Sequence, residues 1–211
     1  MVYSDRVSAG RTLGRELSHL RAAHPLVLGL PRGGVPVAAA VREVIGGDLD
    51  ILLVRKLGVP WQRELAAGAI GEDGAKVINT VILQHTGLTL DRLAELEKAE
   101  RAELERRRVL WRGDTAAIPL AGRTVVIVDD GMATGATTAV ACRVARLRQP
   151  ERLVVAVPVS SPEALYRVQA EADEVVCPLV PDTLGGVGNA YRDFHQLDDS
   201  EVTELLRAAP R

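Results

Sequence analysis

The chain carries only two cysteines, Cys142 and Cys177, in unlike contexts and with no CxxC spacing. That excludes a disulfide framework; a reducing compartment is expected, with both thiols packed in the core. Long hydrophobic runs are missing too. None approaches the roughly 18 residues that a membrane span needs. The opening MVYSDRVSAGRTLGREL has no apolar core of the kind a signal peptide requires, so a cytoplasmic location is expected. Neither sign of charge dominates: the net charge is −2. No general nucleic-acid surface follows from that balance, and neither a basic stripe nor a DNA-binding helix pair is evident. Lysine stands only at positions 56, 76 and 98, whereas arginine is abundant. Internal repeats and low-complexity tracts are absent. So are a P-loop, GxSxG and HExxH, and the first strand-turn lacks GxGxxG, which argues against a dinucleotide oxidoreductase.

What is present is a chain of 211 residues, 47% hydrophobic and 26% charged, as expected of one globular domain with a real core. Residues 6–23 have the spacing of an amphipathic helix, with Val7, Leu13, Leu17 and Leu20 on one side, ended by Pro25. The short apolar run 26–30 predicts a buried strand, followed by a helix over 35–45 that Gly46-Gly47 stops. Residues 50–54 predict a second strand ending at Arg55-Lys56. Around the turn Glu72-Asp73-Gly74, residues 67–70 and 76–79 have the character of short antiparallel strands. A long helix is expected over 89–110 with Thr89 as N-cap, about 33 Å long at 1.5 Å per residue. Its charges alternate in sign, the mark of a solvated face, with a lid or dimer arm as the alternative. Strands over 124–128, 152–159 and 173–177 alternate with helices over 136–148, 162–172 and 198–208. The pattern predicts an α/β fold with a mainly parallel sheet flanked by helices. Ligands of such sheets bind at the carboxyl ends of the strands.

The most informative segment is TVVIVDDGMATGAT, residues 124–137. An apolar strand ends in Asp129-Asp130, a small-residue loop follows, and then a helix. Adjacent carboxylates accept hydrogen bonds from neighbouring ribose hydroxyls. The loop offers backbone N–H groups and threonine hydroxyls to a phosphate, and the helix dipole favours the anion. The bland alternative is a buried strand ending in a solvated Asp-Asp turn. Two more segments follow strands: Leu30-Pro31-Arg32-Gly33-Gly34 and Val54-Arg55-Lys56-Leu57-Gly58-Val59-Pro60. In the first, glycines allow close backbone approach and Arg32 supplies a fixed cation. An ordinary turn and a solvent-facing basic turn are the respective alternatives. A fourth segment, PDTLGGVGNAYRDF at 181–194, is rich in glycine and ends in aromatic residues.

Together these segments resemble the type I phosphoribosyltransferases, which use 5-phosphoribosyl-1-pyrophosphate (PRPP), over roughly residues 20–195. One departure in the signature is Gly131, where a larger apolar residue is usual. The resemblance implies a single Rossmann-like domain over 1–211, with a core at 20–180 that includes a helical insertion at 89–110. A small hood at 181–197 and a C-terminal helix complete it. It implies Mg²⁺-dependent transfer of phosphoribosyl to a nucleobase-like acceptor with release of pyrophosphate, and a homo-oligomer, most simply a dimer. The implied catalytic residues are Asp129, Asp130, Arg32 and Lys56. The 5-phosphate falls to Ala133, Thr134, Gly135, Ala136 and Thr137, and pyrophosphate to Arg32, Gly33, Gly34, Arg55 and Lys56. Leu184, Val187 and Tyr191 would line the acceptor pocket, and Asp193 would help hold the metal; alternatively Tyr191 and Phe194 pack into the core. Residues 61–75 would form a mobile loop that closes over the site. Ala133 stands where hypoxanthine-type members carry a proton-handling Asp, so the acceptor stays open. His195 beside the hood is a candidate proton carrier or a surface residue. The reading of a second class is a non-catalytic PRPP- or nucleotide-sensing regulator on the same fold.

Overall fold

In the computed structural model the described residues are 2–209, apart from the side chains of Arg63 and Glu64. The chain opens with helix α1 (Arg6–Glu16), capped by Asp5, whose carboxylate accepts from Ser8 N. The amphipathic segment does not run on as one helix. A 3-10 helix, Ser18–Ala23, follows and ends at His24, which has φ 45°. Strand β1 (Leu26–Gly29), helix α2 (Gly34–Ile45) and strand β2 (Asp48–Ile51) complete the first βαβ unit. Later come β6 (Thr124–Val128), α5 (Ala136–Arg146), β7 (Arg152–Ala156), α6 (Pro162–Gln169), β8 (Glu174–Val176) and α7 (Asp199–Ala208). The five strands form one parallel sheet in the order β2-β1-β6-β7-β8.

Alternation along each strand sends successive side chains to opposite faces. Leu26, Leu28, Val125, Ile127, Leu153 and Val155 pack on one side with Cys142 of α5 and Val168 of α6. Val27, Val126, Val128 and Val154 pack on the other with Leu13 of α1 and Val41 of α2. The sheet is thus covered on both faces, which is why its central strands β1 and β6 read as apolar runs. The Cys142 thiol is buried and burial holds it up at about 12.

The expected second strand at 50–54 is two strands. The parallel strand ends at Ile51, and Leu52 N donates to Gly29 O at 3.1 Å. The chain then turns into β3 (Val54–Val59), which pairs antiparallel with β4 (Gln62–Gly71), itself paired with β5 (Lys76–Ile78). The run from Ile51 to Val54 is apolar throughout because both sheets bury it, so no change of polarity marks the turn. Strand β4 also takes up most of 61–75, the segment expected to be a mobile covering loop. Helix α3 (Thr80–Thr86), not expected from the sequence, and helix α4 (Leu90–Arg112) follow. Thr89 does cap α4, accepting from Arg92 N at 3.3 Å.

Helix α4 is more than a solvated rod. Leu93, Leu104 and Trp111 are buried with Leu57 and Val59 of β3. On the same stripe Glu97 pairs with Lys76 and Glu100 accepts from Arg55 at 2.6 Å. Where α4 ends, Arg112 pairs with Asp50 of β2, both side chains 2% exposed, and with Glu72 in the β4–β5 turn. The cluster ties the small sheet to the large one. Glu72 Oε2 is buried without a partner among the described residues, and burial pushes this carboxyl up against the pull of Arg112. Removing one member of such a cluster leaves buried charge uncompensated. Arg112→Ala is expected to cost about 3–5 kcal/mol in urea unfolding, with amide exchange rising first in residues 54–78.

Candidate active site

Three segments meet at the carboxyl ends of β1 and β6. The Pro31–Arg32 peptide bond is cis. Beyond it the chain passes so close to the acid pair that a Cβ on Gly33 would overlap the Asp130 carboxylate. One on Gly34 would overlap Val128 O and come within 2.9 Å of Asp129 Cα. Only glycine permits that approach, and it brings the 30–34 turn against Asp129 and Asp130. Asp129 Oδ1 accepts from Asp130 N at 2.9 Å. Burial and the neighbouring Asp130 charge hold the Asp129 carboxyl well above its usual range. Asp130 is also raised by burial, an effect opposed by Arg6.

Arg6, from the first turn of α1, was not foreseen. Its side chain is 9% exposed and its Nε donates to Asp130 Oδ2 at 2.9 Å. Nη1 donates to His195 O at 2.9 Å, and the guanidinium lies 3.9 Å from the Phe194 ring centroid. A signal was available: Arg6 shares the 6, 9, 13, 17 stripe with the buried Ala9, Leu13 and Leu17. A cation there, in a first turn where the dipole disfavours it, needs an anion to meet.

An open cavity of about 490 Å³ is bounded by the 31–33 turn, Asp130, the 194–197 segment and two further arginines, Arg6 and Arg107. Arg107 is the second residue that sequence reasoning missed; it belongs to the packed stripe of α4, where its Nε donates to Glu103 Oε1 at 2.6 Å. Arg32 Nε donates to Asp199 Oδ1 at 3.0 Å, and Asp199 also accepts from Trp111 Nε1 at 3.1 Å. The start of α7 therefore helps to set Arg32.

The loop after the acids is open to solvent at three of its residues. Ala133, Thr134 and Thr137 are exposed. Gly135 has φ 70° and precedes α5, and Thr134 Oγ1 accepts from Ala136 N at 3.3 Å. Ser161 Oγ donates to Ala133 O at 2.7 Å, and Arg167 donates to Thr134 O at 2.5 Å.

The two basic residues expected together do not share a face. Arg55 and Lys56 are consecutive in β3, so their side chains leave opposite sides of the strand. Arg55 turns to Glu100, while Val54, on the Lys56 side, packs against Val140 and Val144 of α5. Neither Arg55 nor Lys56 lines the 490 Å³ cavity, which Arg32 and Gly33 do.

Leu184, Val187 and Tyr191 come together, but with Tyr3 and Val159 in an apolar cluster. Tyr191 is 6% exposed, its hydroxyl donates to Asp130 O at 2.5 Å, and its ring centroid lies 5.0 Å from that of Phe194. It braces the acid pair from behind instead of facing an open pocket. The cluster also accounts for Gly131: a Cβ there would sit 2.6 Å from Val187 Cγ1 and 2.8 Å from Val159 Cγ1. A larger apolar residue has no room at this position, because Val187 and Val159 rest directly on the loop. Asp193 is exposed, lies 3.4 Å from His195 Nδ1, and accepts from His195 N at 3.2 Å. Among the described residues no three His, Cys, Asp or Glu side chains converge in a way that could hold a metal ion, so Asp193 does not complete a cage with Asp129 and Asp130. No helix among them is long and apolar enough to cross a membrane.

A parallel α/β sheet with an acid pair and an open phosphate-type loop at its carboxyl edge has a known counterpart, and the match covers most of the chain. The model of the phosphoribosyl transferase domain matches residues 6–191. The chain belongs to the phosphoribosyltransferase family. "Putative phosphoribosyl transferase Rv0571c" of Mycobacterium tuberculosis strain H37Rv is 46% identical over 210 residues, covering 100% of this chain and 47% of that protein. A counterpart of the same name form, MT0597, from strain CDC 1551 matches equally. The chain thus spans about half the length of the curated relatives it matches. The crystal structure of TT1426 from Thermus thermophilus superposes with a TM-score of 0.91 at 42% identity, covering 98% of each chain.

Two expectations follow from the site. Gly131→Val would force Val187 and Val159 apart and is expected to lower stability by about 1–3 kcal/mol, measured by denaturant midpoint. Asp129→Asn removes a carboxylate whose charge the fold disfavours. A carboxyl raised in the folded state costs stability once it ionises, and the cost fades as pH falls toward the unfolded value of about 3.9. The variant should therefore melt about 2–4 °C above the parent at pH 8, with the gap closing as pH is lowered to about 4.

Proposed function

We propose that the chain transfers phosphoribosyl from PRPP to a nucleobase-like acceptor, releasing pyrophosphate. The observation that carries this reading is the meeting of Asp129-Asp130 with the 31–34 turn and the exposed 133–137 loop at one edge of the sheet. In the reaction, positive charge builds on the ribose as the bond from C1 to pyrophosphate lengthens. Asp129 and Asp130 accept from the ribose hydroxyls and sit close to that charge. Residues 133–137 hold the 5-phosphate through backbone N–H groups, with the hydroxyls of Thr134 and Thr137. Arg32 and the N–H groups of Gly33 and Gly34 receive the departing pyrophosphate. Arg6 and Arg107 add positive potential to the same cavity, and Arg55 lines a small pocket beside it with Pro31, Arg107 and Thr137. Lys56 serves only if the β3–β4 hairpin moves toward the cavity on binding.

The donor set fits Mg²⁺ in one way only. Two adjacent carboxylates without a third protein ligand suit a cation that keeps substrate oxygens and waters in its shell. Asp129 and Asp130 would hold it jointly with the substrate, and when bound it neutralises pyrophosphate charge. A second reading, a PRPP- or nucleotide-sensing protein, draws on the internal engagement of Arg32 by Asp199 and of Asp130 by Arg6.

Calorimetric titration with PRPP and Mg²⁺ tests the site. Hydrogen bonds to charged groups contribute about 1.5–3 kcal/mol each, so Asp129→Asn with Asp130→Asn should weaken PRPP by about 100-fold or more. Unchanged affinity would remove the assignment. Arg32→Ala should lower turnover about 100-fold while PRPP affinity changes far less, because its charge matters most as pyrophosphate leaves. PRPP binding with no pyrophosphate release across a panel of purine and pyrimidine bases would favour the sensor.

A further inference from the structure

A second cavity, of about 410 Å³, opens between α1, the 193–197 segment and α7. It shares walls with the 490 Å³ cavity: Arg6, His195 and Leu197 line both. Pro36, Leu197 and Leu205 give it flat apolar sides, and Asp5, Glu201 and Glu204 give it carboxylates. Asp5 caps α1, and Glu201 is held by Asp198 N and His195. Glu204 makes no hydrogen bond or ion pair among the described residues and is exposed at the mouth. The alternative place for a base, over the backbone of Gly131, is filled by Val187 and Val159.

Between the two cavities stands His195. Its Nε2 lies 3.0 Å from Glu201 Oε1, and its Nδ1 a longer 3.4 Å from Asp193 Oδ1. Its backbone carbonyl accepts from Arg6, which fixes the segment against Asp130. With Nε2–H donating to Glu201, Nδ1 is the nitrogen left to take a proton. The hydrogen bond to Glu201, with help from Asp193, raises the imidazole above its ordinary value. Two carboxylates, Glu201 and Asp193, stabilise the imidazolium once it forms; Arg6, Arg32 and Arg107 are the cations that line the cavity on its other side.

We propose that this second cavity is the acceptor compartment, that it takes a planar nitrogen heterocycle bearing an amino group, and that His195 is the base that Ala133 cannot supply. The proposal rests on the phosphoribosyl-transfer reading above. The amino group donates to Glu204 while the ring lies between Pro36 and Leu205. A ring nitrogen of the acceptor gives its lone pair to C1, the C1–O bond breaks, and pyrophosphate departs with that electron pair. The proton lost from the acceptor nitrogen goes to Nδ1 of neutral His195.

The test uses the full chain with PRPP and Mg²⁺ and four probes: adenine and 2,6-diaminopurine, which carry amino groups, and hypoxanthine and xanthine, which carry oxo groups instead. Pyrophosphate release is expected with an amino-bearing probe only. Glu204→Gln should raise the acceptor KM about tenfold, and Ala208→Trp, which fills the compartment from α7, should raise it also, both with PRPP affinity unchanged. His195→Asn should lower kcat about 100-fold. Activity should rise with pH through the elevated imidazole range, and Glu201→Gln should move that limb to lower pH, which a merely structural role would not do. PRPP binding with release from oxo probes only, or from none, overturns the proposal while leaving PRPP recognition intact. So does an unmoved KM in both compartment variants, or an unmoved kcat and pH limb. Absence of PRPP binding by the parent chain fails the phosphoribosyl reading, and this proposal with it.

Discussion

The site depends on keeping two adjacent carboxylates in a place that resists their charge. Asp129 and Asp130 end a strand whose five residues are all buried, and burial raises both carboxyls. One cation, Arg6, meets Asp130 directly. Much of the surrounding structure follows from that pairing. Arg6 draws in the carbonyl of His195 and lies on Phe194, Phe194 meets Tyr191, and the Tyr191 hydroxyl returns to the carbonyl of Asp130. A closed circuit of polar and aromatic contacts thus fixes the acid pair from two other parts of the chain, α1 and the 191–195 segment.

The two sheets have different tasks. The parallel sheet is sealed on both faces by apolar clusters and behaves as a rigid base for the loops at its edge. The antiparallel sheet is joined to it through the Asp50–Arg112–Glu72 cluster and through α4. Helix α4 brings Arg107 to the cavity, Trp111 to Asp199 and Glu100 to Arg55, so its position couples the small sheet to the Arg32 side of the cavity.

Much of this was legible in the sequence because it rests on local pattern. Thr124–Val128 with its acid pair, the Gly33-Gly34 turn and the Thr89 cap each state their role within a few residues. The family and the α/β fold with its parallel sheet followed from them. What was not legible depends on contacts between distant segments. The break between β2 and β3 is hidden because the chain stays apolar through it, with Ile51 to Leu53 buried and Val54 half-buried. Gly131 looked like a departure from the signature until Val187, far along the chain, was seen to rest on it. Arg55 and Lys56 looked like a pair because adjacency in sequence says nothing of the strand that separates their faces. Arg6 lay in a helix read only for its apolar stripe, although its place on that stripe was the sign of a buried partner.

The site is finished by both ends of the described chain: Arg6 from its first helix, and His195, Leu197 and Asp199 from just before and within its last. Contacts of that sequence separation form late in folding, since the loop-closure entropy of the whole chain opposes them. The acid pair is made within a βα unit, and gains its counter-charge only when α1 docks and brings Arg6 to Asp130. A chain whose sheet has formed but whose first helix is undocked would hold two crowded carboxylates with no cation against them, since the partner of Asp130 lies 124 residues away in sequence.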